Sequence, residues 1–218
     1  MIFTTIDFIV FFVFILAAVA IIKHRKFQHL ILLGGSYYFF YFSSNYLIVL
    51  LIFSTILDFY LAKIIHDTKD AFRKKLLLTI SLAGNLGLLG FFKYSDFAIL
   101  QFNILGNYFD LSTEIPLFNL VLPLGISFYT FQTLSYTIDV YRGTLKPSKT
   151  LSEFALFVAF FPQLVAGPIL RAKQFLPQLR EKIQNYKTGG NLRQIIFQHG
   201  HLKFGITLMV FGFVKKMF

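Results

Sequence analysis

The sequence feature that most limits the fold is a series of long apolar runs separated by short basic clusters. The first run extends from Ile6 to Ile22 and is followed directly by the basic stretch from Lys23 to Lys26. The further apolar runs cover residues 30–42, 46–65, 76–92 and 121–141. A helix needs about 20 apolar residues to cross a hydrocarbon core of about 30 Å. The pattern therefore predicts an all-α, polytopic membrane protein with five transmembrane helices in one membrane domain, residues 1–218.

The charge of the chain supports a membrane location rather than binding to nucleic acid. The formal net charge is +11 and 56% of the residues are hydrophobic, which gives a mean hydropathy of +0.66. The basic residues lie between the apolar runs, which is the pattern that membrane proteins show on their cytoplasmic side. The absence of cysteine excludes disulfides, thiolate metal ligands and a thiol nucleophile. We expect no metal site, no bound cofactor and no nucleic-acid partner.

The same charges predict the orientation of the chain. The first run has Asp7 at its start and no basic side chain before it, whereas Lys23 to Lys26 follow it. The stretch from Ser95 to Leu120 contains acidic residues and no basic one, as expected of an outside loop. We therefore expect a multi-pass protein of the cytoplasmic, or inner, membrane with its N-terminus outside.

An additional apolar run, residues 154–170, does not fit a simple crossing pattern. Basic residues precede it at Arg142, Lys146 and Lys149, and they dominate again from Arg171 to Arg193. Since both ends lie on the same predicted face, we interpret this run as a re-entrant, broken helix. Three residues inside it favour a break and a turn: Pro162, Gly167 and Pro168. The alternative is an ordinary kinked span in which one loop violates the charge rule.

Polar residues inside the apolar runs are the candidates for functional or packing roles. They are Asp58, Asn85, Gln132 and Asp139. Intramembrane acids mark a functional site or a buried pair, while uncharged polar side chains commonly hold helices together. Asp58 and Lys63 do not share one helix face, so helix packing explains Asp58 at least as well. Asp139 and Arg142 have the spacing of a helical ion pair.

The broken run provides the second set of candidates. Gln163 follows Pro162 directly, where its amide and the freed carbonyls could line a channel. Arg171 and Lys173 follow at the predicted inside face, where they could attract an anionic phosphate group. A solvated cytoplasmic loop explains both cations equally well.

Several of these stretches resemble the membrane-bound O-acyltransferase family. The three main matches run from Leu122 to Gln132, from Tyr136 to Gly143 and from Phe160 to Arg171. Further matches are Ser54 to Tyr60, Asn85 to Asp96 and Gly212 to Lys216. Within the family, the chain is most similar to the bacterial branch of alginate O-acetylation proteins and teichoic acid D-alanyl transferases. The resemblance extends in order over almost all of the chain.

The resemblance implies that an acyl group, most simply acetyl, moves from a cytoplasmic thioester donor to hydroxyls of a cell-surface polysaccharide. The donor would be acetyl-CoA or an acyl carrier protein, and an acetyltransferase partner would act on the outside face. The family fold is a ring of helices in which re-entrant helices form a tunnel, and this assigns Pro162, Gln163, Gly167, Pro168, Arg171 and Lys173 to the tunnel. The family's catalytic histidine lies in the second half of the family sequence. We therefore expect this chain to be the N-terminal part of the fold, to end at Phe218 before that histidine, and to be inactive alone.

The histidines of this chain do not replace the missing one. His199 and His201 precede the match that begins at Gly212, and they follow a polar, basic stretch rather than an aromatic apolar run. Two other functions remain open at this point. A broken helix also occurs at the binding sites of transporters, although the chain shows no internal repeat, and a truncated chain could serve as a non-catalytic membrane scaffold.

Overall fold

The computed structural model describes residues 5–22, 24–109, 115–123, 125–164 and 171–184, together with residues 205, 207, 208, 211 and 212. Every regular element in this part of the chain is helical, which confirms the all-α prediction there. The elements are α1 (Ile6–Ile21), α2 (Arg25–Ser44), a 3-10 turn (Asn45–Leu47), α3 (Ile48–Asp67), α4 (Ala71–Tyr108), α5 (Ile126–Tyr141), α6 (Leu151–Ala159), α7 (Phe161–Leu164) and α8 (Ala172–Gln184).

Two helical stretches in the described residues are long and apolar enough to cross a membrane. One is Lys26–Asp67, which comprises α2, the 3-10 turn and α3, and the other is Ala71–Tyr108. The stretches Ile6–Ile21 and Leu151–Gln163 are also apolar but shorter. The helices agree with a membrane location, while the count of five spans stays a prediction.

The first two helices form an antiparallel pair. At the turn between them, the side-chain amide of Gln28 donates to the carbonyl oxygens of Val19 (3.0 Å) and Ile22 (2.6 Å). Farther along, Ile15 of α1 lies against Gly35 of α2 so closely that a Cβ on Gly35 would sit 2.7 Å from the Cδ1 of Ile15. The absence of a side chain at Gly35 therefore sets the distance between the two helices.

Helix α4 is longer than the predicted span at residues 76–92. It continues without interruption for 38 residues, which corresponds to about 57 Å and exceeds the hydrocarbon core of about 30 Å. The segment 115–123 folds back along its second half. Asn103 exchanges two hydrogen bonds with the backbone of Ile115 (2.8 and 3.0 Å), and Asp96 accepts one from the backbone of Phe118 (2.8 Å). These hydrogen bonds hold the segment 115–123, here called the strap, against the second half of α4.

Helix α5 begins later than the predicted span at residues 121–141. Pro123 lies before it and Gly125 occupies its N-cap with φ +70°, a left-handed conformation that glycine adopts at little cost. The helix ends in a Schellman turn, in which the backbone amides of Gly143 and Thr144 donate to the carbonyls of Val140 and Asp139. The turn directs the chain towards α6.

Helix α6 is the most deeply enclosed element of the described structure. The residues from Glu153 to Ala159 are all buried, and they lie among α2, α3, α5 and α8. The ring of Phe154 packs 4.3 Å from that of Tyr136, and the Tyr136 hydroxyl accepts a hydrogen bond from the backbone of Ser148 (3.0 Å). The preceding loop is thereby tied to the core, which fixes where α6 enters it.

We expect the close contact between α1 and α2 to make Gly35 intolerant of a large side chain. Gly35→Leu should lower the free energy of unfolding by about 1–3 kcal/mol, because it overpacks the contact with Ile15 and Phe11. The matched control is Gly34→Leu, since a Cβ there meets nothing within 4 Å. Thermal unfolding in detergent should show a lower midpoint for Gly35→Leu alone, and equal midpoints for the two variants would contradict the close approach.

Candidate functional site

A cluster of buried polar side chains joins helices α3, α4 and α5. The carboxylate of Asp58 accepts hydrogen bonds from the hydroxyl of Ser81 (2.5 Å) and from the amide of Asn85 (2.9 Å). The Asn85 carbonyl oxygen in turn accepts one from Ser54 (2.5 Å), and the Thr133 hydroxyl of α5 lies 3.5 Å from the same oxygen. These five side chains are at most 1% exposed. Because their donors and acceptors match one another, the cluster acts as a tie between three helices.

The sequence indicated two members of this cluster and missed three. Asp58 and Asn85 were predicted as intramembrane polar residues, and the structure brings them together. Ser54 and Ser81 each lie one turn before one of them on the same helix face, a helical spacing that sequence reasoning could have used. Thr133 comes from a different helix and had no such signal. Lys63 lies over the ring of Phe59, 4.4 Å from its centroid, and is not paired with Asp58.

A second polar arrangement surrounds the break between α6 and α7. In an unbroken helix the carbonyl of Phe157 would accept the backbone N–H of Phe161. Here the Phe157 carbonyl instead accepts the side-chain amide of Gln132 (2.6 Å), and the Phe161 N–H donates to the hydroxyl of Ser36 (3.3 Å). The acceptor and the donor of the missing helical bond are thus each bound by a side chain, the acceptor from α5 and the donor from α2. Gln132 was a predicted polar candidate, whereas Ser36 was not.

The break occurs where the sequence predicted it. Phe160 leaves the helical conformation with ψ 105°, and Pro162, which has no backbone N–H, follows in α7. Phe161 is held by rings of the first two helices, with the nearest centroid, that of Phe11, at 5.2 Å. The broken helix is therefore observed up to Leu164, while the predicted return of the chain lies outside the described residues.

The remaining candidates are placed as follows. Gln163 is buried and its backbone N–H donates to the carbonyl of Phe160 (3.0 Å), whereas Pro162 is exposed. Gly167 and Pro168 lie outside the described residues, as do His199 and His201. Arg171 and Lys173 are both exposed at the start of α8.

Helix α8 is anchored by apolar residues next to these two cations. Leu176 is fully buried, and the ring of Phe175 lies 5.6 Å from that of Phe157 and 5.4 Å from that of Phe160. Arg171 and Lys173 therefore project from a segment that is fixed against the broken helix.

Asp139 is not part of either polar arrangement. Its backbone carbonyl accepts hydrogen bonds from Thr144 and Leu145 at the end of α5. Among the described residues, the ion pair found is Arg73 with Asp70, and Asp139 does not pair with Arg142. Its role in this part of the chain is to end the helix. Among the described residues, no group of His, Cys, Asp or Glu side chains could hold a metal ion.

We expect the hydrogen bonds made by Ser36 and Gln132 at the break to contribute more to the free energy of unfolding than ordinary hydrogen bonds do. Ser36→Ala should lower the free energy of unfolding by about 1–3 kcal/mol, because it leaves the buried Phe161 N–H without an acceptor. Gln132→Leu should have a similar effect through the Phe157 carbonyl. Unfolding in detergent with graded denaturant would measure both changes.

The control for Ser36 is available on the same helix. Ser43 donates to the carbonyl of Phe39 (3.0 Å), just as Ser36 donates to that of Leu32 (2.7 Å). Ser43→Ala should therefore change the stability by less than Ser36→Ala. Equal effects of the two serine substitutions would show that the bond to Phe161 contributes nothing.

The comparisons with known proteins identify relatives of one kind. The chain is 40% identical over 143 residues to a probable alginate O-acetylase of Pseudomonas aeruginosa, covering 65% of this chain and 24% of that protein. It is 32% identical over 188 residues to a peptidoglycan O-acetyltransferase of Helicobacter pylori, covering 75% of this chain and 33% of that protein. A shorter match of 61 residues, 36% identical, is to a teichoic acid D-alanyltransferase of Bacillus subtilis, covering 28% of this chain and 15% of that protein.

These matches extend over much of this chain but only part of each relative. The chain spans about a quarter to a third of the length of the alginate and peptidoglycan acetylases that it matches. No family model matches the sequence, and no solved structure matches it. The relatives are all proteins of the membrane-bound O-acyltransferase type, and with the apolar helices they indicate a membrane location. The chain therefore belongs to the membrane-bound O-acyltransferase family, together with the alginate O-acetylases, the peptidoglycan O-acetyltransferase and the teichoic acid D-alanyltransferases.

Proposed function

We propose that this chain forms part of a membrane O-acetyltransferase that moves an acetyl group from a cytoplasmic thioester donor to hydroxyls of a cell-surface polysaccharide. The names of the relatives, an alginate O-acetylase and a peptidoglycan O-acetyltransferase, support the reaction class. The observation that carries the proposal is the broken helix at Phe160. Backbone that is not helical is tolerated at membrane depth only where protein buries it or where it lines a cavity, and here the Phe157 carbonyl and the Phe161 N–H are each bound by a side chain.

The dimensions of α6 support a re-entrant path. Its 9 residues correspond to about 13–14 Å, less than half of a hydrocarbon core of about 30 Å. Ser36, which meets the break, lies about 16 Å along α2 from its first residue, Arg25. Both distances are those expected if α6 enters from the basic, cytoplasmic face and α7 lies near the middle of the bilayer. In this topology the N-terminus is outside the inner membrane.

The same geometry supports a path for the donor. Arg171 and Lys173 are exposed beside the anchored start of α8. A guanidinium and an ammonium group at this position would attract the phosphates of coenzyme A or of a carrier-protein phosphopantetheine. The thioester would then pass Pro162 and Gln163, with Gly167 and Pro168 contributing the turn that the sequence predicts. No described residue is assigned as the catalytic base.

The opposite end of the molecule is suited to the expected acetyltransferase partner outside. There the second half of α4, its C-cap Phe109 and the strap 115–123 expose large apolar side chains, among them Tyr108 (83% exposed), Phe109 (68%) and Val121 (67%). A surface of this kind supports contact with a protein or with the headgroup region of the membrane.

The proposed topology predicts which positions a membrane-impermeant thiol reagent can reach. The chain has no cysteine, so a single introduced cysteine reports alone. Tyr108→Cys should react from outside in intact cells, whereas Lys149→Cys and Lys173→Cys should react only after the cells are opened, because both flank the re-entrant helix on one face. An ordinary kinked span would place Lys149→Cys and Lys173→Cys on opposite faces, and labelling of only one of them in intact cells would establish that alternative.

The proposed donor path predicts a change in the affinity for the donor. In membrane vesicles that contain the full-length protein, Arg171→Ala combined with Lys173→Ala should raise the KM for the labelled acetyl donor about twofold to thirtyfold, since each removes an exposed charge contact worth about 0.2–1 kcal/mol. Transfer of label into outside polysaccharide is the measurement.

The matched control replaces two cations at the start of α4, Lys69→Ala in the preceding loop together with Lys74→Ala in the first turn, which should leave the KM unchanged. An equal rise in both double variants would indicate a general effect of surface charge. No transfer of label by the unaltered protein with donor and acceptor present would overturn the proposed function itself.

A further inference from the structure

An open apolar groove of about 860 Å³ lies between α1 and α2. It begins beside Asp7, Tyr38 and Phe42 and extends to Ile15 and Ile31. From Asp7 to Ile15 the groove is about 12 Å long. Its walls include Val10 and Phe14, whose side chains are 62% and 68% exposed. The groove is therefore a slot that opens towards the surroundings of the protein.

Two consecutive glycines produce this shape. Gly35 brings the two helices into contact at Ile15, while its neighbour Gly34 is exposed and a Cβ there would meet nothing within 4 Å. The missing side chain at Gly34 leaves the slot open beside a tightly packed contact. A larger residue at Gly34 would fill the slot and would not disturb the packing of the helices.

The lining of the groove defines the chemistry of its occupant. Among the lining residues, Asp7 carries the one formal charge, and it lies at the end of the slot where α1 begins. Among the described residues, Asp7 has no cationic partner within ion-pair distance. An apolar slot with a carboxylate at one mouth is complementary to an amphiphile that has a hydrocarbon chain and a headgroup ending in an ammonium group.

We propose that this groove binds one acyl chain of an aminophospholipid, with the lipid's ammonium group beside Asp7. The acyl chain leaves bilayer hydrocarbon and not water, so the groove contributes van der Waals packing, and the pairing with Asp7 selects the headgroup. A transmembrane helix fits less well, because helices approach closely where small residues recur every four positions. The neighbours of Gly34 at that spacing are Leu30 and Tyr38, which would hold a second helix away.

The absence of tryptophan from the chain makes the proposal testable by fluorescence quenching. Phe14→Trp places the only indole in the groove, and Phe91→Trp places it on an exposed face of α4 outside the groove. The chain is reconstituted in vesicles that contain equal amounts of phosphatidylethanolamine and phosphatidylglycerol, with brominated acyl chains on one lipid or the other. We expect brominated phosphatidylethanolamine to quench Phe14→Trp about twofold to fivefold more strongly than brominated phosphatidylglycerol, and both lipids to quench Phe91→Trp equally.

Two further substitutions, each added to Phe14→Trp, separate the charge from the shape. Asp7→Asn should abolish the preference for phosphatidylethanolamine and leave some quenching by both lipids. Gly34→Leu should reduce quenching by both, whereas the matched variant Gly87→Leu, at a glycine of α4 where a Cβ also meets nothing within 4 Å, should not.

Three results would overturn the proposal. Equal quenching of Phe14→Trp by the two lipids would remove the role of the headgroup. A preference that survives Asp7→Asn would remove the role of the carboxylate. Protection of Phe14→Trp from both lipids, with Phe91→Trp still quenched, would show that protein rather than lipid fills the groove.

Discussion

The structure around the broken helix depends on how one lost backbone hydrogen bond, that between Phe157 and Phe161, is replaced. When the chain leaves the helical path at Phe160, the carbonyl of Phe157 and the N–H of Phe161 lose each other as partners. An apolar environment offers no water to replace either bond, and each unsatisfied group would cost several kcal/mol. Gln132 and Ser36 supply the two replacements. The break is thus tolerated because α5 and α2 lie on its two sides.

A buried polar cluster holds the helices around the break in place. Its members are Asp58, Ser81, Asn85, Ser54 and Thr133. It ties α5 to the antiparallel pair α3 and α4, so that Gln132, one residue before Thr133 on α5, presents its amide to α6. A carboxylate inside an apolar bundle is costly unless hydrogen bonds satisfy it, and here a hydroxyl and an amide do so. The cluster and the break are therefore linked through adjacent residues of one helix.

Much of this arrangement could be predicted from the sequence, and the rest depended on tertiary contacts. Apolar runs and basic clusters were sufficient to predict an all-helical chain, and Pro162 was sufficient to predict the break, because both depend on local composition. Asp58 and Asn85 stood out as polar residues in apolar runs. Ser36 did not, since a serine hydroxyl in a helix normally bonds to its own backbone and its second bond is to a residue 125 positions away. The length of α4 was also missed, because the acidic stretch after Ser95 predicted an outside loop, whereas α4 continues to Tyr108.

The large separation between Ser36 and Phe161 has a consequence for how the protein is made. Chains are synthesised and begin to fold from the N-terminus, so α1 and α2 are complete long before Phe161 leaves the ribosome. The groups that contact Phe161 are then already present on α1 and α2. They are the rings of Phe8, Phe11 and Phe39 and the hydroxyl of Ser36. The broken helix is synthesised after α1 and α2, and Phe161 then packs against the surface that these two helices have already formed.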